Sequence, residues 1–255
     1  MKKQTKEFNA YVFFTDIVSA SDRKYGSSED QIKKIELLFN FIKKSSYFKE
    51  SGKNPIISQT GDGAALCYRY NIRLPIELAI DLHKKINIHN KKKPFKQQLK
   101  IRIGISSGLI GPTKGIKKGN YWGLGLISAQ RIMSLGKSNH ILMNAYTATE
   151  LSFLSDRYKN IIHYVGESMI KNNEDVIPIY SVYGDGFGNK LMLKLKTKDE
   201  MKDMGRLTIK SLNAKEIKNI ADTLQHYSKT QLHVQQKQKS IHKTNSKNKK
   251  GEVDD

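Results

Sequence analysis

The chain has 255 residues, 38% of them hydrophobic, enough to bury a core in one domain of ordinary size with an appendage. No run of 18 apolar residues occurs, which excludes a simple membrane span, and the single cysteine, Cys67, excludes a disulfide framework and a zinc cluster. The net charge of +21 is spread along the chain, as in a Lys-, Asn- and Ile-rich background, so no nucleic-acid partner is expected from it.

The charged start, Met1-Lys-Lys-Gln-Thr-Lys-Glu7, lacks the apolar stretch of a signal peptide, and a reducing cytoplasmic location is expected. Tyr11 to Val18 is rich in β-branched and aromatic residues and predicts a buried strand, with Asp16 as its one charge. Ser28, Glu29 and Asp30 can open a helix along which Ile32, Ile35, Leu38, Phe39 and Ile42 recur. Ile56 to Gln59 and Ala64 to Tyr70 read as two strands joined by Thr60-Gly-Asp-Gly63, a hairpin turn with Asp62 at its tip. A second helix follows through Ile76, Leu78, Ala79, Leu82 and Ile86, and Leu99 to Ser106 alternates as a strand.

Gly108 to Gly119 is rich in Gly and Lys and reads as a flexible arm. Leu126 to Met133 predicts a third helix, Ile141 to Met143 a short strand, Ala145 to Phe153 a short helix, and Ile161 to Val165 and Val176 to Val182 further strands. The order is βαββαβ with an αβ extension. The expected fold is therefore α+β: a ferredoxin-like core with an antiparallel sheet and helices on one face.

Residues 1–188 form the expected main domain. Residues 189–233 form an appendage, with one more strand at Leu191 to Leu195 and helical periodicity from Ala214 to Tyr227. Residues 234–255 form a basic tail with six lysines up to Lys250 and almost nothing to bury. His83, His89, His140 and His163 have no metal-ligand spacing and read as satisfied or surface histidines.

The chemistry begins with two aspartates. In a βαββ core the first and third strands are neighbours, so Asp16, near a strand end, and Asp62, at a hairpin tip, come close together. Two unpaired carboxylates in such proximity repel. A pair of divalent cations removes that conflict, and hard oxygen ligands favour Mg2+ or Mn2+. Gly-Asp-Gly is also a common turn, so Asp62 alone is open to a purely structural reading.

Phe14-Thr-Asp-Ile-Val-Ser-Ala-Ser21 resembles the first metal-binding strand of class III nucleotidyl cyclases, and Thr60-Gly-Asp-Gly63 is similar to their second metal-aspartate hairpin. Ile101-Arg-Ile-Gly-Ile-Ser-Ser-Gly108 resembles the strand that follows. Tyr121-Trp-Gly-Leu-Gly-Leu-Ile-Ser-Ala-Gln-Arg131 resembles the dimerisation arm and catalytic helix, and Ile141-Leu-Met-Asn-Ala-Tyr-Thr-Ala-Thr-Glu-Leu151 the closing strand and helix. The resemblance covers about residues 8 to 183.

It implies a head-to-tail homodimer with both active sites at the interface, acting on a nucleoside triphosphate. The ribose 3′-oxygen would attack the α-phosphorus and pyrophosphate would leave. It further implies two metals on Asp16, Asp62 and the backbone of Ile17. Arg131 would be the transition-state arginine and Lys171 a ligand of the terminal phosphates.

Three positions depart from the pattern. Purine-specific members read the base with a Lys-Asp pair; here those positions hold Ser58 and Asn120. Losing both charges would remove charge-assisted hydrogen bonds, and an unpaired buried polar group costs about 1–3 kcal/mol. Asn120 can both donate and accept, so it suits uracil O4 or cytosine N4. Arg102 and Tyr121 are further base-pocket candidates. Ile127 replaces the usual ribose-positioning asparagine, beside Ser128.

These departures and the stand-alone layout look most like the pyrimidine cyclases of bacterial anti-phage (Pycsar) systems. Those make cyclic UMP or cyclic CMP, which a separate effector protein reads. A purine cyclase with a relaxed pocket and an inactive cyclase-like module are the alternatives.

Overall fold

The computed structural model describes residues 7–18, 26–49, 55–113, 120–169, 176–193 and 195. The chain divides into two compact units, Met1–Lys198 and Asp199–Asp255. The second lies outside the described residues, as do the expected helix at 214–227 and the basic tail.

An open sheet is built from β1 (Phe8–Ile17), β2 (Ile56–Gln59), β3 (Gly63–Tyr68), β4 (Ile101–Pro112), β5 (Tyr121–Trp122), β6 (Ile141–Asn144), β7 (Ile162–Met169) and β8 (Val176–Val182). The strand order is β2-β3-β1-β4-β6-β8-β7, with β5 folded back on the far end of β4. β1 therefore lies between β3 and β4, antiparallel to both, while β4 and β6 run parallel.

β1 shows why the sheet has two different faces. Side chains alternate along a strand. Phe13 and Ile17 point into the main core; Ala10, Val12 and Phe14 point into a smaller one on the other side. The main core is roofed by α1 (Ser28–Lys44), α2 (Ser46–Lys49), α3 (Arg73–Asn90), α5 (Ala145–Leu154) and α6 (Asp156–Ile161). α1 starts on a capping box in which Ser27 Oγ accepts from the Asp30 amide and the Asp30 carboxylate accepts from the Ser27 amide. Glu77 of α3 is buried there, but the Arg157 guanidinium and the Tyr158 hydroxyl donate to it. Burial raises the Glu77 pKa, yet those bonds and the positive charge around them leave it below the ordinary value.

The mixed α+β fold follows the sequence expectation, with an open sheet and α1, α2, α3, α5 and α6 on one face, but the sheet is not wholly antiparallel as expected, since β4 and β6 run parallel. α4 (Leu124–Leu135) crosses the opposite face, over β1 and β4. It lies so near that a Cβ built on Gly104 would sit 2.1 Å from the Ala129 carbonyl oxygen and 2.6 Å from the Met133 amide. Cys67, in the same small cluster, is buried, and burial pushes its thiol pKa up to about 12.

Two expectations are corrected. Gly108 does not open a flexible arm: β4 continues through it to Pro112, and β5 pairs back onto Gly111 and Pro112. Gly108 serves a close approach, since a Cβ there would meet the Gly125 amide at 2.9 Å. The expected strand at 191–195 is also missing among the described residues. Leu191 and Met192 are both exposed, so the in-and-out alternation of a strand fails there, while Leu193 and Leu195 pack against Ile132, Leu142 and Ile179 instead of pairing.

Candidate active site

The polar centre of the α4 face grows out of strand register. Asp16, at the end of β1, stands opposite Gly63 of β3 and Arg102 of β4. Asp62 immediately precedes Gly63, at the tip of the β2–β3 hairpin. The Thr60 amide closes that turn on the Gly63 carbonyl at 3.0 Å, and Gly61 takes φ +74°. Gly63 allows the tip to reach β1, because a Cβ there would fall 2.0 Å from the Thr15 carbonyl oxygen. Each residue of Thr60-Gly-Asp-Gly63 thus helps bring the second carboxylate beside the first.

Arg102 bridges this corner. Its Nε and Nη2 donate to the two Asp16 carboxylate oxygens, each at 2.8 Å, in a bidentate pair. Its Nη1 reaches the carbonyls of Ser134 and Gly136, at the C-terminal end of α4, at 3.3 and 3.4 Å. The Asp16 hydrogen bonds raise the guanidinium pKa against burial, and the charges of Asp16 and Asp62 add to that rise. Both carboxylates therefore act on one guanidinium, which places them in one electrostatic cluster.

Ser58 is half-buried on the same face as Asp16, in the row Ser58–Ala65–Phe14 that crosses β2, β3 and β1. Ile17 is buried, with its side chain in the main core and its backbone paired to Ile101. Asn120 is exposed at the start of β5, where its carbonyl accepts from the Thr113 amide at 2.8 Å. Tyr121 is half-buried, edge-on to Phe8 with ring centroids 6.2 Å apart, and the Arg69 guanidinium covers the Phe8 ring at 3.7 Å. Trp122, Leu124 and Leu109 are exposed around it.

Arg131 sits half-buried on α4, and its guanidinium has no hydrogen bond or ion pair among the described residues. Ile127 and Ser128 lie half-buried one turn before it. Lys171 falls outside the described residues, as do residues 19–25 that follow β1.

The structure thus brings Asp16, Asp62 and Arg102 together with Ser58 on one sheet face, and puts Asn120 and Tyr121 on the arm. The direct pairing of Arg102 with Asp16 was not anticipated from sequence. The strand-interior glycine Gly104 carried a usable signal, since such a glycine marks a close backbone approach.

Among the described residues no three His, Cys, Asp or Glu side chains converge as a ready metal cluster. Two carboxylates still fit a hard cation. Mg2+ commonly keeps several waters and takes only one or two carboxylates, completing its shell with substrate phosphates. The donor set here, carboxylate oxygens at adjoining strand ends, has that character.

Residues 2–182 match the family described as adenylate and guanylate cyclase catalytic domain. No curated protein matches the chain by sequence. Among solved structures, an adenylate/guanylate cyclase/hydrolase from Silicibacter pomeroyi is similar at 17% identity and TM-score 0.58, covering 71% of this chain and 100% of that one. The adenylyl cyclase CyaB from P. aeruginosa is similar at 16% identity and TM-score 0.59, with 71% and 97% covered. The guanylate cyclase domain of RhGC from Catenaria anguillulae, solved in complex with GTP, is similar at 19% identity and TM-score 0.56, with 70% and 98% covered. At these identities the likeness speaks for the fold.

Proposed function

The chain belongs to the adenylate and guanylate cyclase catalytic-domain family, and from that premise we propose that it converts a pyrimidine nucleoside triphosphate, UTP or CTP, to its 3′,5′-cyclic monophosphate and pyrophosphate. The observation that carries the reading is the corner where Asp16 and Asp62 act together on Arg102.

In this reading Asp16, Asp62 and the Ile17 carbonyl would hold two divalent ions, Mg2+ or Mn2+. Such ions lower the pKa of the ribose 3′-hydroxyl and neutralise phosphate charge when bound. The protein's own contribution is electrostatic and positional. Arg102 takes one lone pair on each Asp16 oxygen and leaves the others available to a cation. Its Nη1 is tethered beside the α4 carbonyls, and the guanidinium would meet an incoming polyphosphate from there. Arg131, whose guanidinium is unengaged among the described residues, would face a site completed by a second copy and stabilise charge growing on the α-phosphoryl oxygens. Lys171 holds the terminal phosphates.

The base reading rests on Ser58 and Asn120, with Tyr121 bordering the pocket. A hydroxyl and an amide at these positions suit the smaller, neutral edge of a pyrimidine. The enzyme would work as a head-to-tail homodimer in the cytoplasm and supply a cyclic nucleotide to a separate effector in anti-phage defence. No helix among the described residues is long and apolar enough to cross a membrane. Residues 1–188 would be the catalytic domain, 189–233 an appendage and 234–255 a basic tail.

The test is incubation of the purified protein with Mn2+ and each of ATP, GTP, CTP and UTP, with products identified by mass spectrometry. A cyclic pyrimidine product is expected. A cyclic purine product would keep the enzyme and overturn the reading of Ser58 and Asn120. Absence of product from a folded, dimeric sample would replace it with an inactive cyclase-like module.

A further inference from the structure

The matched family region ends at residue 182, yet the ordered chain goes on. Residues 183–193, with Leu195, run as a strap from one face of the sheet to the other. Phe187 is buried in the main core, the Gly188 amide donates to His83 Nδ1 at 3.2 Å, and Asn87 Nδ2 donates to the Gly186 carbonyl at 2.9 Å. The strap then grips the loop that leaves α4. Asn189 Nδ2 donates to the Ser138 carbonyl at 2.8 Å, and His140 Nε2 lies 3.0 Å from the Leu191 carbonyl while the Lys137 amide donates to its Nδ1. With Nδ1 accepting, the ring proton belongs on Nε2 and points to Leu191.

Beyond that loop, Leu193 is 7% exposed and shares a cluster with Ile132 of α4, Leu142 of β6 and Ile179 of β8, all three fully buried. Leu195 joins the same cluster, and its side chain lies 3.3 Å from the point where Gly166 would carry a Cβ. α4 is thus held on two flanks. Ala129 and Met133 pack toward β1 and β3; Ile132 and Leu135 pack with the strap. Ile132 directly follows Arg131, and the Ser134 and Gly136 carbonyls that anchor Arg102 lie between Ile132 and the Ser138 carbonyl that Asn189 holds.

We infer that residues 183–193, with Leu195, form a clamp that sets the position of the C-terminal half of α4, with Leu193 and Asn189 as positioning residues for Arg131 and for the Arg102–Asp16 pair. The clamp rests on the cyclase reading for its catalytic consequence, but not for its mechanical one. A misplacement of a catalytic group by about 1 Å costs up to a hundredfold in rate with little need for a change in binding. Loosening one flank of α4 should therefore appear in kcat and not in KM.

The experiment uses the full chain with Leu193→Ala, Leu193→Met and the milder Asn189→Ala, assayed well below each variant's melting midpoint, together with backbone hydrogen exchange. Leu193→Ala should lower kcat about tenfold with KM within about twofold. It should speed exchange in residues 124–140 while leaving β1 and α3 as they were. Asn189→Ala should move both readouts in the same direction by less, and Leu193→Met should restore both. Unchanged kcat, or exchange that rises uniformly through the sheet, would overturn the clamp. If the unsubstituted chain makes no cyclic nucleotide, the cyclase reading fails separately. The exchange pattern then decides alone, and an unchanged 124–140 segment overturns the clamp.

Discussion

The two faces of the sheet are built on opposite principles. On the face roofed by α1, α3, α5 and α6, large side chains such as Phe13, Leu82, Ile101 and Tyr158 fill a continuous core. On the α4 face the strands present Gly63, Gly104, Ala65 and Ala10, and a helix and a hairpin tip come within backbone distance. The first arrangement gains stability from buried apolar area. The second gives up side-chain volume so that Asp16 of β1, Asp62 of the hairpin tip and Arg102 of β4 can meet. Stability and chemistry are therefore separable here, and substitutions should sort by face.

The strongest test of that separation is Asp16→Asn. It should remove turnover entirely, while the melting midpoint moves by no more than about 3 °C, a shift on the order of 1 kcal/mol for a domain of this size; steady-state assays and thermal melts check both halves. Arg131→Ala should lower kcat about a hundredfold with stability unchanged, as expected for a group that meets only developing charge. Gly104→Ala sharpens the comparison from the structural side. Its methyl would collide with the Ala129 carbonyl, so α4 must lift, costing about 1–3 kcal/mol and a larger share of kcat than of stability.

On the other face the pattern should invert. Leu82→Ala should cost about 2–5 kcal/mol in chemical denaturation, yet leave kcat per folded molecule as it was. The last test concerns pH. Burial, with the nearby His140, pulls the His83 pKa from 6.5 down to about 3. The folded state therefore favours neutral His83, and its contribution is complete above about pH 6.5 and is lost as pH falls toward 3. The slope for that one proton is about 1.4 kcal/mol per pH unit at most. Melts of wild type and His83→Gln between pH 7 and 4 should diverge in that direction.

The sequence carried much of the fold because its signals were local. Val176–Val182 and Ile56–Gln59 match their predicted bounds, and the periodicity of α1 and α3 is plain. What escaped depended on distant partners. α6 is six residues, Asp-Arg-Tyr-Lys-Asn-Ile, too short and too charged to show a period. Gly108 and Gly111 of β4 read as the start of a flexible arm, although they mark where α4 and β5 approach. Asp16 stood out as a charge in an apolar run, but its pairing with Arg102 depends on a register between residues 86 apart. Leu193 and Leu195 are spaced as in a strand; whether such a segment pairs or packs depends on the partners it meets, here Ile132, Leu142 and Ile179.

Cys67 has a practical consequence. It is the chain's single thiol, buried beneath α4 and held protonated by its surroundings. Only the thiolate reacts readily, so the folded protein should be blind to maleimides and to mild oxidants. One engineered surface cysteine, at the exposed Trp122 on the arm or at Met192 on the strap, would then be the sole attachment point for a fluorophore or spin label. The native chain already serves as a silent background for spectroscopy of the arm and the strap.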